Sequence, residues 1–445
     1  MTSEYVSFFY LPLYSACIIF SEDKLRLNIG QVNLPLYSAC IIFAQKDLAM
    51  PNDLYLFNPE NDLAIAFGKA GYTPPPMARA IATDLGLLPL WYADNGSAVL
   101  SDEIPDPAFL SMLQCFGIGS QPGLPADVAQ GCFTACVPWG WSEYAARRFR
   151  SIGIPDRLLP GAERLALLRR LSHRSLTVEV IRRLGERVDY PLPDCPQELF
   201  SLEALRSFLS DCPYSVLKSP WSSSGKGLFW GDGVMSQPLE RWAAGVLRKQ
   251  GSVMGECRYD KILDFAMEFA SDGAAVRFAG YSLFVTDSRG AYKGNRLASD
   301  DMLEQSLCRF VPQSVLTQTR SALEAVFTEW VSPGYSGYFG VDMLIYRDAK
   351  GCARLHPCVE VNLRMNMGMV ARIFHNRYMR PEDEGGYFVD FFSSPSELLA
   401  DHRMRLAHAP ARIIDGKLTG GYLSLNPIGE NSRYRARVEV GTTAF

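Results

Sequence analysis

Cys358-Val359-Glu360-Val361-Asn362-Leu363-Arg364-Met365-Asn366 is the stretch that decides the fold. Side chains of a β-strand alternate between faces, so Glu360, Asn362 and Arg364 share one face while Val359, Val361 and Leu363 are expected on the other, toward a core. Upstream, Asp342 interrupts the otherwise apolar run GYFGVDMLIY. Asp and Asn are poor strand formers and seldom stand there unpaired. A connection centred near Gly351 would set Asp342 opposite Glu360, bringing two carboxylates and an amide oxygen to one spot. Hard oxygen donors of this kind suit Mg²⁺ (or Mn²⁺), and the planar fork of Arg364 suits a phosphate. A salt-bridged sheet surface is the competing reading of the same residues.

Working upstream, Tyr214 to Ser219 reads as an apolar strand ending in Lys218, followed by Pro220-Trp221-Ser222-Ser223-Ser224-Gly225-Lys226-Gly227. Glycines let a backbone approach an anion, and successive N–H groups can form a nest for phosphate oxygens. The spacing is not that of a P-loop, because Gly rather than Ser or Thr follows Lys226. A hairpin loop with no ligand remains the alternative. Between loop and acidic strand lies SVMGECRYDKILDFAMEF. Here a strand ends at Glu256, and Cys257 and Arg258 begin an irregular stretch before Asp264 leads into the next strand. Such a linker can offer backbone groups to an adenine edge and a carboxylate to ribose hydroxyls; a plain connector between lobes would look the same.

The bulk numbers narrow the function classes. The chain has 445 residues, 48% hydrophobic and 21% charged, with a formal net charge of −4. This is an ordinary globular composition, with length for about three compact units. No long Lys/Arg run offers a nucleic-acid footprint. The eleven Cys carry no metal-ligand spacing and read as reduced thiols of a cytoplasmic protein. The five His lie apart and suggest no nucleophilic triad.

The beginning of the chain is unusual. LPLYSACIIF occurs at Leu11–Phe20 and again at Leu34–Phe43. Two copies are too few for a solenoid, and the apolar runs are too short to span a bilayer. We expect residues 1–49 to be a mis-assigned or disordered extension, with the globular chain opening at Met50. From there Leu54 to Phe57 reads as a strand, Asn58-Pro59-Glu60-Asn61-Asp62 as a turn, LGLLPLWYA and SAVL as further strands, and Ser142 as a helix N-cap. Helical patterns cover about Ala162–Leu184, Leu202–Leu209, Gln237–Gln250 and Gln313–Val331.

Taken in this order, the segments resemble the ATP-grasp superfamily over roughly Leu171 to Val370. The resemblance implies an α+β fold: two α+β lobes with ATP between them, preceded by an α/β domain. The expected divisions are 50–160 for the α/β domain, 161–252 for the small lobe, 253–375 for the large lobe and 376–445 for an appended segment. It implies that Asp342, Glu360 and Asn362 hold Mg²⁺, and that Lys218 and Arg364 contact the transferring phosphate. Ser222, Ser223, Ser224, Gly225, Lys226 and Gly227 would cover the triphosphate. Glu256, Cys257 and Arg258 would form the adenine hinge, with Asp264 on the ribose. Arg174 would replace a lysine usual in the family. The implied activity is Mg-ATP-dependent ligation of a small-molecule or peptide carboxylate to an amine, without nucleic acid or membrane. Small-molecule phosphorylation and catalytically silent nucleotide binding are the alternatives.

Overall fold

The computed structural model describes residues 26–29, 32–35, 52–69, 71–222, 227–286 and 292–441. It divides into two units, Met1–Asn52 and Asp53–Phe445. In the first, Arg26–Ile29 pairs antiparallel with Val32–Pro35. Apart from Leu34 and Pro35, the duplicated LPLYSACIIF lies outside the described residues. All that follows concerns the second unit.

Its N-terminal part is α/β, as expected. Strands β1 (Leu54–Leu56), β2 (Ala98–Leu100), β3 (Gln121–Gly123) and β4 (Cys136–Pro138) form a parallel sheet in the order β3-β2-β1-β4. The β1 side chains are all buried, as a strand covered on both faces requires. The NPEND turn is tighter than expected: helix α1 begins within it at Asn61, runs to Phe67, and ends on Gly68 at φ 64°. LGLLPLWYA is not a strand. Leu88–Trp91 forms a 3₁₀ turn with Pro89 in its first turn, where a missing N–H costs nothing. Ser142 caps its helix as expected, accepting from Ala145 N at 3.3 Å.

The helical run from Ala162 to Leu184 breaks into α2 (Ala162–Leu171) and α3 (Leu176–Leu184). Short polar side chains compete for the backbone at the break: Ser172 Oγ donates to Leu168 O at 2.8 Å, and Ser175 N donates to His173 Nδ1 at 3.1 Å. The interruption turns Arg174 inward, and its N–H donates to Pro220 O at 3.0 Å.

The small-lobe sheet is antiparallel. It comprises β5 (Gln197–Leu199), β6 (Tyr214–Lys218), β7 (Leu228–Asp232) and β8 (Val253–Cys257) in the order β5-β8-β6-β7. Helices α4 (Leu202–Asp211) and α5 (Gln237–Gln250) share a core with it, including Leu205, Phe208, Leu217, Leu239 and Val253. The small lobe therefore extends through Cys257 rather than stopping at 252. The β6–β8 pairing sets Ser215 opposite Cys257 and so draws Cys212 close. Cys212 and Cys257 are joined as a disulfide with Cα atoms 5.8 Å apart, which corrects the all-thiol reading for this pair.

A nine-stranded antiparallel sheet forms the large lobe. Its strands are β9 (Asp260–Ser271), β10 (Val276–Thr286), β11 (Tyr292–Leu297), β12 (Gly337–Arg347), β13 (Ala353–Asn362), β14 (Gly385–Phe391), β15 (Arg412–Ile414), β16 (Lys417–Ser424) and β17 (Tyr434–Val440). They run in the order β13-β12-β9-β10-β11-β14-β17-β16-β15. The C-terminal strands thus continue this sheet through the β11–β14 pair instead of forming a separate appended one. Odd-numbered residues of β9 and β12 (Phe265, Met267, Phe269, Phe339, Val341, Met343) pack with α3 and helix α6 (Gln313–Trp330) in one core. Even-numbered residues are thereby left facing the cleft between the lobes.

Several hydrogen bonds bind the α/β domain to the C-terminal strands, among them Arg433 N and Tyr434 N donating to Asp84 Oδ2 at 2.8 and 2.9 Å. Trp91 Nε1 donates to Leu425 O at 2.7 Å. Fully buried Asn426 donates to Asp84 O at 3.0 Å and accepts from Ala436 N at 2.8 Å. Replacing Asn426 with Ala strands these buried groups. Denaturant unfolding of the variant should show a loss of about 1–3 kcal/mol; an unchanged midpoint would contradict the contact.

Candidate functional site

A cleft of about 1470 Å³ lies between the small-lobe and large-lobe sheets, with Pro59, Glu60 and Asp62 of the NPEND segment and Trp139 of PWGW also lining it. Of the expected site residues, Arg174, Lys218, Glu256, Cys257, Arg258, Asp264, Asp342, Glu360, Asn362 and Arg364 all line it. Ser223, Ser224, Gly225 and Lys226 lie outside the described residues. The two described ends of that loop meet: Ser219 N donates to Gly227 O at 2.8 Å, and a Cβ on Gly227 (φ 72°) would stand 2.7 Å from Ser222 Cβ.

The acidic pair is where the hairpin reading placed it. Asp342 and Glu360 are register partners, Asn362 faces Gly340, and Leu344 pairs with His356. Two extra residues therefore bulge out of β13 between His356 and Glu360, at Pro357, which has no N–H to offer the ladder. The turn itself is tight, with Asp348 Oδ1 accepting from Lys350 N and Cys352 N at 2.9 Å each. The bulge also alters one face assignment. Cys358, Val361 and Leu363 enter the core, whereas Val359 lines the cleft with Glu360.

Burial raises the Asp342 carboxyl above the usual range, and the facing Glu360 adds to the rise. Burial acts the same way on Glu360, but Arg174 and Lys218 outweigh it and hold that carboxyl below its usual value. Two carboxylates and an amide oxygen lining the same cleft, the amide oxygen now accepting from Arg364 Nη2 at 3.1 Å and one acid short of a counter-charge, fit a divalent cation completed by phosphate oxygens. Among the described residues no group of three or more His, Cys, Asp or Glu forms a metal cage, so an ion here depends on its ligand for the remaining donors.

The cations expected to meet phosphate are each held by a protein group. Arg174 donates to Glu360 Oε1, Ser222 Oγ and Ser219 O at 2.7, 2.7 and 2.6 Å, while its Nε has no partner among the described residues. Lys218 is ion-paired with Glu256, the expected hinge residue. Arg258 lies over the Trp230 ring at 5.3 Å, and its N–H donates to Tyr214 O at 2.8 Å. Asp264 accepts from Lys261 at 2.5 Å and from Thr286 Oγ1 at 3.3 Å.

Arg364 shows what residue patterns alone missed. Its Nε and Nη2 donate to the two carboxylate oxygens of Asp62, both at 2.7 Å. Burial works against its charge, but Asp62 more than offsets this and raises its pKa. Met365 N donates to Trp139 O at 2.8 Å, and Asn58 Nδ2 donates to Gly140 O at 2.8 Å. A Cβ on Gly140 would stand 2.3 Å from Asn61 Nδ2 and 3.1 Å from Arg364 Cβ, so only glycine fits there. The NPEND and PWGW segments thus fasten the acidic strand from the α/β side.

Glu268 is the second missed residue, 1% exposed and lining the cleft. Its carboxyl is pushed up to about 8, chiefly by burial; the Asn366 hydrogen bond opposes the rise and nearby Asp342 adds to it. The signal was available, since Glu268 interrupts apolar DFAMEFA just as Asp342 interrupts its own strand.

Two outcomes follow from these charges. Asp62→Ala leaves a buried guanidinium without its carboxylate and should cost about 3 kcal/mol of unfolding free energy. Combined with Arg364→Met it should cost less than the two single changes together; strict additivity in denaturant melts would contradict the pair. Glu268 has a folded pKa above its unfolded value, so the folded state holds more protons between about 4.5 and 8. Its contribution is complete below that window and is lost as pH rises through it. Measured against Glu268→Gln, wild-type stability should fall by up to about 1.4 kcal/mol per pH unit there; parallel pH profiles would contradict this.

No protein-family model and no curated protein matches the chain. Solved structures similar to it include the biotin carboxylase of Campylobacter jejuni in a β-γ-ATP complex, at 12% identity and TM-score 0.48, covering 88% of this chain and 87% of that one. The biotin carboxylase domain of the Hydrogenobacter thermophilus 2-oxoglutarate carboxylase, with MgADP, is similar at 11% identity and TM-score 0.46, covering 88% and 86%. N5-carboxyaminoimidazole synthetase of Staphylococcus aureus complexed with ADP is similar at 10% identity and TM-score 0.45, covering 89% and 94%.

Proposed function

We propose that this chain is an ATP-grasp-type enzyme that binds Mg-ATP between its lobes and joins a carboxylate to an amine or similar nucleophile through an acyl phosphate. The observation that carries the reading is the in-register pairing of Asp342 with Glu360, with Asn362 two residues on, in a cleft that also gathers Lys218, Arg174 and Arg364. Asp342, Glu360 and Asn362 would hold the metal; Mn²⁺ suits the same oxygens. Mg-ATP, when bound, supplies the phosphoryl group and neutralises much of its charge.

The protein's part is positioning and charge compensation. Lys218 and Arg174 lie where phosphate oxygens would replace the carboxylates they now hold. Arg364, fixed in orientation by Asp62, would turn the N–H groups that now donate to Asn362 Oδ1 and Met365 O toward the transferring group. The Glu256–Arg258 backbone would meet adenine, and Asp264 the ribose. Residues 222–227 would cover the phosphates and exclude water, so that the activated carboxylate meets the nucleophile first. Phosphorylation of a small molecule uses the same cradle. Release of ADP only when a carboxylate and an amine are both present favours ligation, whereas release with one hydroxylated acceptor favours phosphotransfer.

The reading is tested by thermal unfolding with Mg-ATP. A hundredfold excess over the dissociation constant should stabilise the protein by about 2.7 kcal/mol. Glu360→Gln should lose most of the Mg²⁺-dependent part. No stabilisation of the wild type at millimolar Mg-ATP would sink the nucleotide reading.

A further inference from the structure

The cleft changes character beyond Asn362. Its basic side chains there are already engaged, Arg364 by both oxygens of Asp62. Asp390 at the rim is held by Arg435 and Arg437. The acids are not matched in this way. Among the described residues neither Glu60 nor Glu268 has an ion-pair partner, and Glu60 Oε2 is buried without a hydrogen bond.

Glu268 stands in a space made for it. It is in register with Gly340 on β12, which faces Asn362 on β13, so its backbone lies two strand spacings, about 10 Å, from that of Asn362. A Cβ on Gly340 would come within 2.7 Å of Glu268 Oε2, and a Cβ on Gly368 within 2.4 Å of Oε1. Both glycines leave room for the carboxylate. Asn366 Nδ2 donates to Oε2 at 2.7 Å, and Asn366 is itself held at the start of helix α7 (Met367–Tyr378) by accepting from Met369 N at 2.9 Å. The carboxylate is therefore fixed rather than free to swing. The cations whose charges reach it, Arg364 and Arg372, are paired with Asp62 and Asp300. Its other polar neighbours are uncharged: Asn295 Nδ2 donates to Ser282 Oγ at 2.6 Å, and the Tyr292 hydroxyl donates to Asn295 Oδ1. Trp139 and Met367 add apolar wall.

We infer that Glu268 defines a second ligand subsite, which takes a primary ammonium group carried on an apolar body. A fixed, buried carboxylate with one hydrogen bond on Oε2 gains most from a cationic donor, and less from a hydroxyl of the same shape. An anion would meet Glu268 and Glu60, and among the described residues the cations acting on Glu268, Arg364 and Arg372, are already paired with Asp62 and Asp300. The assignment of this cation as the amine partner of ligation rests on the reading above; recognition of the cation does not.

The test uses the full chain with saturating Mg-ADP at about pH 9, where the Glu268 carboxyl is largely ionised and a primary ammonium is still largely charged, titrated with phenethylamine or with phenethyl alcohol as its uncharged counterpart. The amine should bind at least about tenfold more tightly than the alcohol. Glu268→Gln should bring the amine down to the level of the alcohol and leave stabilisation by Mg-ADP unchanged. Equal binding of the two probes, binding of neither, or full retention of amine preference in the variant would overturn the subsite. Should Glu268→Gln fail to fold, the wild-type comparison of amine with alcohol decides. Loss of Mg-ADP stabilisation alongside intact amine preference would count against the nucleotide reading and leave the subsite standing.

Discussion

The whole site depends on how β13 is laid against β12. Continued without interruption from Leu344 and His356, the ladder would set Cys358 opposite Asp342; two extra residues at Pro357 bring Glu360 there instead. That bulge sends Cys358 into the core and aligns three oxygen-bearing side chains toward the cleft. A bulge costs ladder hydrogen bonds, and here a proline that cannot donate anyway occupies it. The core beneath, from Phe265 to Phe339 and Val361, fixes the faces, because a one-residue slip would turn the acids inward.

Around that register the protein keeps its buried charges paired. Arg174 with Glu360, Lys218 with Glu256 and Arg364 with Asp62 form a chain of partners running from the small lobe to the α/β domain. Unpaired charges at such depth are costly, so each cation is held ready by a carboxylate. Phosphate and a divalent ion would then exchange partners with these groups rather than desolvate bare ones. Asp62 differs from the others in its bidentate grip, and it makes the α/β domain part of the site's rigidity. The far end of the cleft follows a different rule: among the described residues Glu60 and Glu268 are buried there without an ion-pair partner.

Much of this was legible before the fold was known, for physical reasons. Alternation along a strand placed Glu360, Asn362 and Arg364 on one face, and hairpin symmetry found Asp342's partner, although the turn is one residue earlier than supposed and the bulge makes up the difference. Apolar periodicity located most strands and the long Gln313–Trp330 helix. What escaped was what depends on tertiary contact. Asp62 lies 302 residues from Arg364, and no local pattern joins them. The break at Ser172–Ser175 was read through because α2 and α3 each keep a helical period. The C-terminal strands looked separate because their neighbour β11 lies some ninety residues earlier than β14 in the chain. Val359 was misassigned because alternation fails at a bulge.

The most direct measurement is anomalous diffraction from crystals grown with Mn²⁺ and ADP, with Mn²⁺ standing in for Mg²⁺. A single manganese peak at about 2.1 Å from oxygens of Asp342, Glu360 and Asn362, with the diphosphate completing its shell, is the result expected. ADP bound in the cleft with the manganese elsewhere, or no nucleotide between the lobes at all, would contradict the account.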